Sequence, residues 1–269
     1  MVRSCDRRSA IPLNQLAEAY SDGAAAWADG PTRVYRRLAE RLVEFSPTSL
    51  DGRTLLDLGS GTGEGSRAAR AAGARVIAAD LAVDMLRLDQ SSRPPSAAGD
   101  ARAMPFRTDA FDIVLAPFSL NHLDDPAQGA REAGRIGHLL LASTYAADDD
   151  HPAKAAVETA LSEVGWERPP WYTNLKTAMA AWGTVEAATA VVERAGLQAV
   201  RVERAEIEFE ALGPTDMVAW RMGLAQSAAF VASLDPGVQE SVGRRALELL
   251  GTNPAPIVRR VIFIAASKP

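Results

Sequence analysis

Three acidic residues stand at the ends of short apolar runs, and their spacing suggests a ligand site. Asp57 lies inside Leu55-Leu56-Asp57-Leu58, Asp80 closes Arg75-Val76-Ile77-Ala78-Ala79, and Asp100 follows a weaker run from Ser96 to Gly99. Asp57 is followed at once by Gly59-Ser60-Gly61-Thr62-Gly63-Glu64-Gly65, and then by an Ala- and Arg-rich stretch from Ser66 to Ala72 that reads as a helix. A buried strand, a tight glycine turn and a helix form the opening of a nucleotide-binding βα unit, because backbone without Cβ atoms can approach a ligand closely. The helix N-terminus adds oriented N–H groups suited to an anion or carboxylate. A carboxylate at the end of the second strand, 17 positions after Gly63, is near the separation at which an acid meets a pair of ribose hydroxyls.

The glycine spacing separates two ligand classes. A dinucleotide fingerprint needs G-x-G-x-x-G, whose last glycine lets helix and strand pack closely. Counted from Gly59 that position is Glu64, and from Gly61 it is Ser66. Neither fits. Asp57 with Gly59, Gly61 and Gly63 instead resembles motif I of the class I S-adenosylmethionine-dependent methyltransferases, an acid in the strand followed by G-x-G-x-G.

Other segments carry the same resemblance. Gly99-Asp100-Ala101, Met104-Pro105-Phe106 and Phe111-Asp112-Ile113-Val114 are similar to the G-D-A, L-P-F and F-D-x-V run of that superfamily's small-molecule branch. Asp80-Leu81 with Asp84-Met85-Leu86 resembles its D-x-S-x-x-M-L segment, Ala82 standing where Ser or Pro is commoner, and Asn121-His122-Leu123-Asp124-Asp125-Pro126 resembles its H-x-x-D-P loop. The family's Leu-x-Pro-Gly-Gly turn before the fifth strand is replaced by the shorter Arg135-Ile136-Gly137-His138. Ligand contacts lie at the opposite ends of the strands, so this departure bears on local geometry.

The resemblance implies S-adenosylmethionine as co-substrate, with no metal. It places Gly59, Ser60, Gly61 and Gly63 against the methionyl part and Asp57 near its ammonium, with the Ala116 carbonyl as a second acceptor. Asp80 would take both ribose hydroxyls, and Asp100 and Ala101 would read the adenine edge beside Leu81 and Met85. His122, past the fourth strand, and Tyr20, in the N-terminal helix, become the candidate catalytic pair, a base and a lid tyrosine.

The elements that must position these groups alternate. Asn14 can cap a helix running to Tyr20, which Asp22-Gly23 ends, and Thr32 to Phe45 carries an apolar stripe of Val34, Leu38, Leu42 and Phe45. Strands follow at Leu55 to Leu58, Arg75 to Asp80, Ser96 to Gly99, Phe111 to Ala116 and His138 to Thr144, with helices through Met85 and from Pro126 to Arg135 between them. Thr184 to Ala195 reads as a helix stopped by Gly196, Val200 to Phe209 as a strand, Thr215 to Ala232 and Val238 to Leu250 as helices, and Ile257 to Ala266 as the last strand. This alternation predicts an α/β, doubly wound, Rossmann-like sheet. The resemblance specifies seven strands in the order 3-2-1-4-5-7-6, the last antiparallel, with helical lid and cap insertions.

One domain over 1–269 is expected at this length. Within it, 1–46 would supply lid helices and 53–144 the cofactor-binding half. An aromatic cap insertion would cover 145–183, and 184–269 the C-terminal half with inserted helices over 215–250. Trp171, Tyr172 and Trp182 crowd into the cap, as does Trp166, which makes that segment the expected apolar, aromatic wall for an acceptor. Asp148-Asp149-Asp150-His151 invites a metal reading, but successive residues of one loop rarely converge on one ion, and Asp150 reads better as a helix cap before Pro152.

Composition excludes several classes. A net charge of −5 argues against nucleic acid or an anionic membrane as partner, and an apolar share of 47 % supports a sizeable core. The single cysteine, Cys5, cannot form an internal disulfide, Met1 to Ala10 has no apolar signal region, and no run can span a bilayer, so a cytoplasmic location is expected. The function expected is methyl transfer to a small, largely apolar or aromatic molecule in bacterial specialised metabolism. Two alternatives are a cyclisation or rearrangement on the same fold, and a non-catalytic cofactor-binding subunit. The oligomeric state is left open.

Overall fold

A computed structural model describes residues 13–269. The readings made on Met1 to Ala10 and on Cys5 fall outside the described residues. Seven strands form one sheet: β1 (Thr54–Leu58), β2 (Arg75–Asp80), β3 (Ser96–Ala98), β4 (Phe111–Pro117), β5 (Gly137–Tyr145), β6 (Gln198–Phe209) and β7 (Ile257–Ser267). Their order is β3-β2-β1-β4-β5-β7-β6, and β7 runs antiparallel to both neighbours while the other pairings are parallel. β1 is central, with Leu56 opposite Ile77 of β2 and Val114 of β4.

Both faces of the sheet are buried, and the side chains divide between them with the strand period of two. Leu55, Ile113, Leu115, Leu141, Val261 and Phe263 join one core, together with Val34, Leu38 and Leu42 of α3 (Thr32–Glu44). Leu56, Leu58, Val114, Leu140, Ile262 and Ile264 join the other, against the alanines of α6 (Pro126–Ile136) and Val191 and Val192 of α9 (Val185–Arg194). In sequence α4 (Glu64–Ala71) and α5 (Val83–Arg87) fall between α3 and α6, and their Ala69 and Met85 join the first core. Ahead of α3 stand α1 (Leu13–Asp22) and α2 (Ala24–Asp29).

Segments distant in sequence build the rest. After β5 come α7 (Pro152–Ser162) and α8 (Pro170–Ala180); between β6 and β7 come α10 (Pro214–Met222), α11 (Ala225–Ser233) and α12 (Pro236–Leu250). Val157, Ala160, Leu161 and Trp166 share a third core with Val218, Val242 and Ala246, so the two insertions pack as one helical layer.

Several local expectations change. Asn14 lies inside α1, which is described from Leu13, and not ahead of the helix as expected. The single helix expected from Thr215 to Ala232 is two: α10 stops at Gly223, Leu224 is extended (φ −73°, ψ 149°), and the chain restarts as α11, with the Ser227 hydroxyl 3.0 Å from the Arg221 carbonyl across the break. Asp150 does not cap α7; the N-cap residue is His151, and the Asp150 carboxylate faces Lys154 at 3.4 Å. Among the described residues, no helix is long and apolar enough to cross a membrane.

Candidate active site

The carboxyl ends of β1, β2, β4 and β5 open into one cavity whose wall includes Asp57, Gly59, Ser60, Gly61, Asp80, Leu81, Met85, Asp100 and Ala101. The backbone at its floor is folded back by three glycines with positive φ: Gly59 (73°), Gly61 (50°) and Gly63 (94°). Gly59 and Ser60 both donate N–H to the Ala79 carbonyl (2.8 and 2.9 Å), which ties the turn to β2. A Cβ on Gly59 would lie 2.3 Å from the Ser119 Cβ, so no other residue lets these two loops meet. Gly63 stands outside the wall: it N-caps α4 and closes the turn by donating to the Ser60 carbonyl at 2.8 Å.

Asp57 is fully buried. One carboxylate oxygen accepts from the Ser66 hydroxyl at 2.6 Å, and the other, Oδ1, has no partner. A Cβ on the neighbouring Gly65 would come within 2.7 Å of that oxygen, so Gly65 makes the room in which the carboxylate sits. Burial, only partly offset by the Ser66 bonds, raises the Asp57 pKa to about 6. Such a group is matched to an arriving cation. Ser60 Oγ, Ser119 Oγ and Asn121 Oδ1, on the same wall, are likewise buried without partners.

Asp80 is held differently. It accepts the Gly61 N–H at 2.7 Å on one oxygen and the Ala82 N–H at 2.8 Å on the other, which fixes the plane of the carboxylate. Burial raises its pKa against those two bonds. Arg93, which sequence reasoning overlooked, sits beneath this arrangement, donating to the Leu88 carbonyl at 2.8 Å and the Met85 carbonyl at 2.6 Å, and its charge favours both carboxylates. Asp100 is engaged by Arg102 through the backbone N–H (2.9 Å) and the guanidinium (2.7 Å); burial opposes ionisation, but these bonds hold its pKa below the usual carboxylate value. Ala116 does not reach the cavity: it is fully buried within β4, and the wall begins one residue later at Pro117.

Tyr20 of α1 reaches across the mouth, its hydroxyl 2.8 Å from His122 Nε2, with the two rings edge to face at 5.3 Å. The His122 Nδ1 lies 3.2 Å from the Ser119 carbonyl. Burial lowers the His122 pKa to about 4, so the ring is neutral at physiological pH, and burial raises Tyr20 well above its usual value. Asp80 and Tyr172 both bear electrostatically on Tyr20, which places it between the acidic end of the cavity and the far end.

A family of proteins described as "Methyltransferase domain" matches residues 56–138. The demethylmenaquinone methyltransferase of Mycolicibacterium gilvum is 32 % identical over 186 residues, covering 64 % of this chain and 78 % of that protein. The chain belongs to the class I S-adenosylmethionine-dependent methyltransferases. A second relative, the demethylmenaquinone methyltransferase of Renibacterium salmoninarum, is 33 % identical over 60 % of this chain and 68 % of its own. Solved structures agree in fold. A SAM-dependent methyltransferase from Thermotoga maritima has a TM-score of 0.55 at 12 % identity, covering 96 % of this chain and all of that one. The [4+2]-cyclase SpnF has a TM-score of 0.50 at 19 % identity, covering 87 % and 81 %. The protein is therefore an enzyme that uses S-adenosylmethionine to methylate a small molecule. The fold-back of Gly59 onto β2 and the unpartnered Asp57 oxygen fit that co-substrate, which brings an ammonium and close-lying backbone contacts.

The methyltransferase's aromatic wall is not where the sequence suggested. Tyr172 lines the cavity, but Trp171 packs at the edge of the first core and Trp182, 1 % exposed, is enclosed in the second, behind the sheet. Trp166 turns into the helical layer and donates its indole N–H to the Gln226 carbonyl at 3.2 Å. Trp166 lies in the connection between α7 and α8 and Trp182 in the turn after α8, so tryptophans close in sequence enter different cores. The wall instead comes from Tyr20, Trp27, Tyr35, Phe118, Tyr145 and Trp220. Ring centroids step 5.3 Å from Tyr20 to Trp27, 4.9 Å to Tyr35, 5.6 Å to Phe118 and 4.5 Å to Tyr145. One signal was available: Phe118 and Tyr145 fall at strand carboxyl ends, and Phe118 holds a φ of 55°, a strained setting for a bulky residue that is commoner at ligand sites.

Proposed function

We propose that the enzyme methylates a flat, conjugated small molecule in bacterial metabolism, seated in the aromatic half of the cavity with the methyl donor across the acidic half. One observation carries the reading: the ladder of rings from Tyr20 to Tyr145 is continuous with the wall formed by Asp57, Gly61 and Asp80. Aromatic faces stack on planar partners and favour them over flexible aliphatic ones. The bacterial relatives are named for demethylmenaquinone, whose quinone ring is a planar conjugated group, and this supports the class without identifying the molecule.

The donor supplies a methyl carbon already activated on a sulfonium, so the chain's chief task is to align the partners. In this reading Asp57 Oδ1 receives the ammonium, Asp80 offers its remaining lone pairs to the ribose hydroxyls, and Asp100 and Ala101 flank the adenine beside Leu81 and Met85. Tyr20, held by neutral His122, covers the transfer point and excludes water. His122 so buried is a weak base; its work is to orient the tyrosine hydroxyl.

The test is to incubate the protein with S-adenosylmethionine carrying a labelled methyl group and extracts of bacteria, and to identify the labelled product by mass. A flat conjugated product formed together with S-adenosylhomocysteine is expected. A labelled aliphatic amine or a labelled peptide overturns the acceptor class. Tight co-substrate binding with conversion of a substrate but no S-adenosylhomocysteine would place the protein with fold relatives that rearrange or cyclise.

A further inference from the structure

The far end of the cavity carries more positive charge than its ion pairs neutralise. Arg259 of β7, Arg221 of α10 and Lys176 of α8 all line it. The side chains of Arg259 and Arg221 are only 5 % and 6 % exposed. Arg259 has a full partner: Asp149 takes its Nε at 3.2 Å and also accepts the Arg260 N–H at 2.8 Å. That pair fastens the loop after β5 to β7. Arg221 is less well served. It donates to Glu158 at 3.1 Å, but Arg168 binds the other oxygen of the same carboxylate. Among the described residues Lys176 has no ion pair, and Arg221 Nε is buried with no hydrogen-bond partner. The other acids of that loop are matched elsewhere, Asp148 by Arg204 at 2.8 Å and Asp150 by Lys154 at 3.4 Å.

Three cations on the cavity wall, Arg221, Arg259 and Lys176, thus face two carboxylates, Asp149 and Glu158, and Glu158 is shared with the more exposed Arg168. His151 adds no charge, because burial and the neighbouring arginines keep it neutral. Pairs that merely fastened the helical layer to the sheet would be matched in number, since an uncompensated buried charge is costly. The surplus lies on the cavity wall, beside rings: the Arg259 guanidinium is 4.2 Å from the centre of the Tyr145 ring and 4.8 Å from that of Trp220. The rings and Asp149 together hold Arg259 in place, so its charge is fixed at that end of the wall.

We propose that this end of the cavity is an anion site, and that the acceptor is a flat conjugated molecule carrying a carboxylate or comparable oxyanion, bound by Arg221 and Lys176 beside the fixed Arg259. The anchor lies at the opposite end of the aromatic ladder from Tyr20, so it sets which atom of the acceptor faces the methyl group and rejects neutral molecules of the same shape. Rejection follows from leaving the Arg221 Nε and the Lys176 ammonium without partners. The proposal rests on the reading that the aromatic half holds the acceptor.

The test uses the whole protein saturated with S-adenosylhomocysteine and three isosteric pairs as probes: benzoate and benzamide, cinnamate and cinnamamide, 2-naphthoate and 2-naphthamide. Binding is followed by calorimetry. At least one acid should bind tenfold or more tightly than its amide, with Arg221→Gln and Lys176→Met each removing most of that preference while leaving amide and S-adenosylhomocysteine affinities within twofold. Equal binding of acid and amide, no binding by any of the three acids, or a preference unchanged in both variants overturns the anion site. Should Arg221→Gln fail to fold, Lys176→Met alone decides. An acid that displaces S-adenosylhomocysteine, in place of binding beside it, would instead refute the assignment of the aromatic half to the acceptor.

Discussion

Asp57→Asn should make the ligand-free enzyme more heat-stable at alkaline pH while weakening its grip on the co-substrate. Asp57 has a folded pKa of about 6 against an ordinary 3.8. Two pKa units correspond to about 3 kcal/mol. Because the folded value is the higher one, ionisation disfavours the folded state, and the cost grows as pH rises through the window from 3.8 to 6. Asparagine removes the charge and can still accept from the Ser66 hydroxyl, but its NH2 group then lies where Oδ1 is now unpartnered, at a cost of about 1–3 kcal/mol. A net gain of about 1 kcal/mol at pH 8 remains. For a chain of 269 residues, an unfolding entropy of about 2.1 cal/mol/K per residue turns this into a rise in Tm of about 2 °C. At pH 5 the folded wild-type group is largely protonated while the unfolded one is still ionised. The wild type thereby regains about 1.4 kcal/mol, and the difference in Tm closes or reverses. His122, which has no electrostatic link to Asp57, is common to both proteins and drops out of the comparison, while Asp80, whose charge helps raise the Asp57 value, is relieved in the variant. Calorimetric titration with S-adenosylhomocysteine should show affinity falling by about tenfold to a hundredfold, the worth of a charge-assisted bond of about 1.5–3 kcal/mol. A Tm difference that does not move between pH 5 and 8 would refute the raised pKa, and unchanged affinity would refute the assignment of the ammonium to Asp57.

Tyr20→Phe should lower kcat about tenfold or more and leave S-adenosylhomocysteine affinity within twofold, and the wild-type kcat should show no step near pH 6.5, because buried His122 titrates at about 4; such a step would show that the histidine itself takes the proton. Tyr172→Ala should raise the acceptor KM, Trp171→Ala should leave it unchanged, and Trp182→Ala should cost about 3–5 kcal/mol of stability with the KM preserved, read as a fall in Tm; a KM effect from Trp182 would mean that the two cores are coupled through the sheet.

What was legible in the sequence and what was not divide along a physical line. The acidic end of the cavity is built from consecutive residues of βα units, where a strand must end, a turn must fold back and a carboxylate must face outward within a few positions. Asp57, Gly59, Gly61, Asp80 and Asp100 therefore announce themselves through spacing, and β2 falls on the residues expected of it, Arg75–Asp80. The end of the cavity proposed for the acceptor is built from single residues of elements brought together only by the finished fold: Trp27 from α2, Tyr145 from β5, Lys176 from α8, Trp220 and Arg221 from α10 and Arg259 from β7. No local pattern links Asp149 to Arg259 across 110 residues, nor Glu158 to Arg221 across 63. Clustering of Trp166, Trp171 and Trp182 in sequence misled for the converse reason, since one lies in the connection before α8, one on α8 and one in the turn after it, and they enter different layers. The same distinction explains how one fold can keep its donor and change its acceptor. Altering the donor end disturbs a turn whose glycines and acids depend on one another within a few ångströms, whereas the acceptor end can be changed one side chain at a time. Arg221 on α10 and Lys176 on α8, each on its own helix of the helical layer, are such positions, and under the proposed anion site their charge is what would select the acceptor.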